Sequence, residues 1–170
     1  MKKQKAFTTI EILIALAIIS IVLIIGIPML TKYYKTYKFN NYEVELKSIA
    51  EWARAKAIER TAYVWVCLNG LSTTCTGTSC KIEVYDMDSC AGPTCTNGTL
   101  INSLLSEDDW LTFNIGNLFP TGYNCIVFDP KGLAVTSGSI CITDGDNYYK
   151  IIFQTDRALI RDESGAGTCP

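Results

Sequence analysis

Residues 2–28 read KKQKAFTTIEILIALAIISIVLIIGIP, and this stretch decides how the rest of the chain is understood. From 10 to 30 nearly every residue is Ile, Leu, Val, Ala, Gly or Met. As a helix those 21 residues reach about 32 Å, the thickness of a bilayer's hydrocarbon core. Glu11 breaks the pattern just inside the start of the run. An acid there costs less than at mid-bilayer but is still disfavoured, and by default it marks a contact that needs a partner. Lys2, Lys3 and Lys5 precede the run, while Lys32, Lys35 and Lys38 follow it. Pro28 predicts a kink or local unwinding near the end of the span, with Gly26 adding pliancy.

Beyond the span the character changes twice. Leu46, Ile49, Ala50, Ala53 and Ala57 recur at three- and four-residue steps, which predicts an amphipathic continuation of the helix packed on a core. Asn40 and Asn41 are expected to soften it, and Tyr33, Tyr34 and Tyr37 suit the membrane interface. From Tyr63 onward come short β-like runs: AYVWVCL, KIEVYD, WLTFNI, CIVFD, SICIT and YYKIIFQT. DPKG and DGDN supply turns, and LSTTCTGTSC and SCAGPTCTNGT read as loops. The predicted class is α+β, with a long N-terminal helix whose second half lies on an antiparallel sheet. No internal repeat is visible.

Charge and cysteine usage narrow the function. The 170 residues carry 15 Lys and Arg against 17 Asp and Glu, and three of the lysines sit ahead of the apolar run. The remainder is acidic, which argues against nucleic-acid binding by bulk electrostatics. There are eight cysteines and no histidine, and no C-x-x-C occurs. Structural zinc is therefore not expected, nor is any other metal or cofactor. Cys67, Cys75, Cys80, Cys90, Cys95, Cys125, Cys141 and Cys169 all follow the apolar run, and read as a disulfide framework in an oxidising compartment. Eight cysteines allow about 105 pairings, so the sequence leaves connectivity open. Local reasoning offers two pairs: Cys90 with Cys95 around the tight turn AGPT, and Cys125 with Cys141 on two strand-like runs joined by a turn-rich link. An enzyme is not expected. Ser-His catalysis has no histidine, and Asp86, Asp88, Asp108 and Asp109 lie in surroundings that mark no general acid or base.

Three readings of the N-terminus compete. A secretory signal peptide fits the basic start, but the apolar run is overlong and no A-x-A site follows. A plain signal anchor holding an extracytoplasmic domain explains the lysines, the span and the cysteines, but not Glu11. The segment KAFTTIEIL resembles the type III leader of prepilins and pseudopilins, the type IV pilin-like superfamily, in which a short basic leader ends in a small residue, then Phe, then Glu four residues later. Matched here, cleavage falls between Ala6 and Phe7, with Glu11 four residues on and Pro28 where the family has a helix-breaking proline. Ala6 stands in place of the usual Gly, and Thr9 where Leu is commoner.

That resemblance implies a division into a leader (1–6), a transmembrane and assembly half of the helix (7–30), an amphipathic half (31–61) and an extracytoplasmic β-rich domain (62–170). It further implies that prepilin peptidase removes the leader on the cytoplasmic side and N-methylates Phe7. The chain would sit in the inner membrane by one pass, its C-terminal domain periplasmic or extracellular, with other pilins or pseudopilins and an inner-membrane assembly platform as partners. Glu11 would attract the N-terminal amine of a neighbouring subunit, since pairing a lone charge in a low-dielectric bundle recovers much of its cost.

A second resemblance lies near the C-terminus. Phe128, Pro130 and Gly132, then Ile152 and Arg157, are similar to landmarks of GspH/FimT-type minor pilins, with Asp156 replacing the usual Gly before the final Arg. The implied function is a minor pilin or pseudopilin at the tip of a type II secretion pseudopilus or type IV pilus. A major type IV pilin is the nearest alternative, since Cys141 and Cys169 could bound a terminal loop. The calcium site of a major pseudopilin is not matched: Asp144 and Asp146 in TDGDNY lack the calcium-loop spacing and suit a hairpin turn. FimT-like DNA uptake is a further alternative, weakened because Arg157 and Arg161 are flanked by Asp156, Asp162 and Glu163.

Overall fold

The computed structural model describes residues 8–68, 74–87, 98–116, 125–135, 137–155 and 160–170. Ala6, Phe7, Asp88, Cys90, Cys95, Asp156 and Arg157 fall outside them, so the leader junction, the expected Cys90–Cys95 pair and the final landmark arginine do too. By its contacts the chain forms two units, Met1–Asn41 and Tyr42–Pro170.

One helix, α1 (Thr9–Arg60), runs unbroken through Pro28 and both asparagines. In the first unit its large apolar side chains between Ile10 at 61% and Leu30 at 67% are all more than half exposed, while Phe39 is buried. An 18-residue window has mean hydropathy 3.1 with none of it buried, long and apolar enough to cross a membrane. In the second unit the expected apolar stripe is the buried one: Leu46, Ala50, Ala53 and Ala57 are fully buried and Ile49 nearly so.

α1 stops by a backbone device that the sequence hides. Thr61 takes a left-handed φ of 53°, and the Ala62 amide reaches back to the Ala57 carbonyl at 3.3 Å. This is a Schellman-type ending in which a β-branched residue occupies the position glycine usually holds.

Among the described residues nine strands follow: β1 (Val64–Leu68), β2 (Thr74–Thr76), β3 (Lys81–Asp86), β4 (Thr99–Leu105), β5 (Thr112–Gly116), β6 (Cys125–Phe128), β7 (Gly138–Thr143), β8 (Asn147–Phe153) and β9 (Arg161–Ala166). They form two antiparallel sheets, ordered β4-β3-β1-β6 and β2-β5-β7-β8-β9. The large core side chains come from both: Leu68, Ile82 and Ile126 from the first, Phe113, Ile140, Ile142 and Ile151 from the second. Phe128 and Phe153 meet edge to face with ring centres 5.7 Å apart.

Six runs expected to be strands are strands, within a residue or two at their ends. β2, β4 and β9 are additions. β2 lies inside a stretch expected to be loop, and β9 opens on three charged residues and has no large apolar side chain, so neither shows apolar alternation.

Among the described residues three disulfides form: Cys67–Cys125, Cys75–Cys80 and Cys141–Cys169. The expected Cys125–Cys141 pair is therefore wrong. The two runs looked like neighbouring strands, but β6 belongs to the four-stranded sheet and β7 to the five-stranded one. Cys125 instead lies opposite Cys67 across the β1–β6 ladder.

Both expected turns are built by an aspartate. Asp129 Oδ1 accepts the Lys131 and Leu133 amides at 2.9 and 2.8 Å, and Asp144 Oδ1 accepts those of Asp146 and Asn147 at 2.9 and 2.7 Å. Asp144 is thus a hairpin residue between β7 and β8, as its sequence context suggested.

The corner carrying Phe128, Pro130 and Gly132 docks the helix. Arg54 Nε donates to the Gly132 carbonyl at 3.0 Å, and a Cβ on Gly132 would stand 2.6 Å from Ile58 Cδ1. Further anchors come from α1 to other parts of this unit. The Tyr42 hydroxyl donates to Asp108 Oδ2 and accepts the Glu107 amide, both at 3.0 Å, and Arg60 pairs with buried Asp86. Lys47 reaches Asp162 on β9 at 3.3 Å.

Candidate functional site

Of the residues singled out for processing and assembly, Glu11 stands at the start of α1, while Ala6 and Phe7 lie outside the described residues. Thr8 stands just before the helix and Glu11 in its first turn. The Thr8 amide and hydroxyl both donate to Glu11 Oε2 at 2.8 Å, and the Glu11 amide approaches Thr8 Oγ1 at 3.4 Å. Two backbone donors that a helix start leaves open are met reciprocally. The arrangement is a capping box, and its signature T-x-x-E was present in the sequence as TTIE but was not read there.

This gives Glu11 a local duty beside any intermolecular one. A carboxylate at a helix N-terminus is favoured by the helix dipole. It also has two oxygens with about four lone-pair positions, and the box engages Oε2, so acceptor capacity is left over at Oε1. A second donor with positive charge, such as a terminal ammonium, suits what remains.

After the first turn no acidic or basic residue appears until Lys32. Ser20, the one polar side chain in residues 12–30, turns its hydroxyl onto the Leu16 carbonyl at 2.7 Å. Thr31 likewise donates to the Pro28 carbonyl at 3.0 Å. Polar side chains are thus satisfied within the helix, which suits a lipid or helix-bundle surrounding.

The other residues weighed for chemistry have structural places. Asp86 is buried against Arg60, and Asp108 receives the Tyr42 hydroxyl. Arg161, Asp162 and Glu163 follow one another on exposed β9, so Arg161 has two acids beside it in the chain. Among the described residues no group of three His, Cys, Asp or Glu is placed to hold a metal. A cavity of about 310 Å³ is bordered, among the described residues, by Glu51, Arg54, Ala55, Ile58 and Ile160.

Comparison with known families bears on both halves of the chain. Residues 1–27 match the prokaryotic N-terminal methylation motif, which covers the basic leader, Ala6, Phe7, Glu11 and most of the apolar run. Residues 45–157 match the family described as type II transport protein GspH. Neither the curated proteins nor the solved structures offer a match. The matched region takes in the helix stripe on the core, the Phe128–Gly132 corner and eight of the nine strands. With a pilin-type methylation motif ahead of a two-thirds-length match, the chain belongs to the GspH family of pilin-like type II transport proteins.

Proposed function

We propose that this pilin-like subunit works as a minor pseudopilin or minor pilin, after removal of residues 1–6 and N-methylation of Phe7. The observation that carries this reading is a lone acid, Glu11, in the first turn of α1, within an otherwise uncharged and exposed apolar run (10–30) and inside the match to a methylation motif over residues 1–27. Processing would place a new ammonium four residues before Glu11. The helix would hold the chain in the inner membrane with the disulfide-fastened sheets outside the cytoplasm, then enter the filament among other subunits. In that setting Glu11 takes the terminal amine of a neighbour on the oxygen its capping box leaves open. The family is structural, and the work assigned here is assembly at or near the filament tip. Prepilin peptidase and the membrane platform are its proposed processing and assembly partners.

Intact mass of the membrane-extracted protein, with and without reduction and alkylation, tests the reading. A chain lacking residues 1–6 and carrying one extra methyl supports it. An unprocessed chain made in its own host leaves a plain signal-anchored domain and overturns it.

A further inference from the structure

We draw no further inference here: the strongest candidate, the acidic side-chain cluster of Glu43, Glu51 and Asp162 around the buried Tyr149 where α1 meets β8 and β9, carries nothing because Lys47 and the Tyr149 phenol are both already engaged by Asp162 and no second observation points to a ligand there.

Discussion

Glu11 carries two duties that a single deletion would confound. It closes the capping box with Thr8, and it supplies the one negative charge in the apolar run 10–30. Substitutions can separate them. Glu11→Gln keeps an oxygen for the Thr8 amide but removes the charge, Thr8→Val does the reverse, and Glu11→Val removes both. If the charge serves assembly, Glu11→Gln and Glu11→Val should both lose co-purification with filament or platform components, while Thr8→Val retains it and merely frays the first turn, at a cost of about 1 kcal/mol. Normal co-purification of Glu11→Gln would reduce Glu11 to a helix cap. Gly132 is the other residue whose identity is forced. It combines a φ of +74° with van der Waals contact against Ile58, so a side chain meets both backbone strain and a collision. Gly132→Ala should destabilise the second unit by about 2–3 kcal/mol in thermal or denaturant unfolding. Adding Ile58→Ala should return only the part due to collision, because the backbone strain persists.

Among the elements, legibility followed burial. β1, β3, β5, β6, β7 and β8 were visible because their residues face a core on one or both sides, as in β1, whose five residues are all buried. β9 escaped because its side chains are mostly exposed and charged, and its pairing with β8 is specified by main chain and by contacts such as Tyr148 to Glu163 at 3.0 Å. β4 escaped because an edge strand interrupted by a bulge has no clean alternation. At the helix start, the acid was legible as an oddity but its cap was not, since the T-x-x-E spacing lies across the boundary of the apolar run. Disulfide connectivity was legible only in part: Cys141–Cys169 closes the terminal loop that the sequence offered, whereas Cys67–Cys125 is chosen by sheet topology rather than by distance along the chain. The pairs observed differ in what they close: Cys67–Cys125 spans 58 residues and Cys75–Cys80 only 5. Loop-closure entropy then predicts a loss of about 4 kcal/mol for Cys67→Ala with Cys125→Ala, against about 2 kcal/mol for Cys75→Ala with Cys80→Ala. Denaturant unfolding of the full chain in micelles measures both. Equal losses would mean that native packing, not chain closure, sets the value.

At the scale of the whole second unit, acidic side chains crowd the seam where α1 meets β8 and β9. Glu43 and Glu51 come from the helix, Asp162 from β9, and Lys47 is paired with Asp162. Burial, then the charge of Asp162, raises the Glu43 carboxyl above its usual value, so its ionised form is disfavoured in the folded chain. Stability from this group is present at low pH and lost as pH rises through the raised value, and Glu43→Gln should stabilise the unit at neutral pH. Tyr149 sits in the same seam, buried at 6% exposure. Burial first, then Asp162, Glu43 and Glu51, push its phenol from 10.0 up to about 12. The folded chain therefore holds the neutral phenol, and the associated stability is complete below about pH 10 and lost as pH rises toward about 12. The measurement is the thermal midpoint of the full chain in micelles across that alkaline window, for the parent and for Tyr149→Phe. Lysines and other tyrosines titrate in both, so they cancel in the difference. The parent should lose its midpoint faster with pH than Tyr149→Phe does. Tyr148→Phe serves as the control, because its phenol is raised chiefly by a surface hydrogen bond to Glu163 and should change the slope less. Parallel slopes for the parent and Tyr149→Phe would show that this seam opens before Tyr149 ionises, leaving β9 and the helix held by the Lys47–Asp162 contact and main-chain pairing alone.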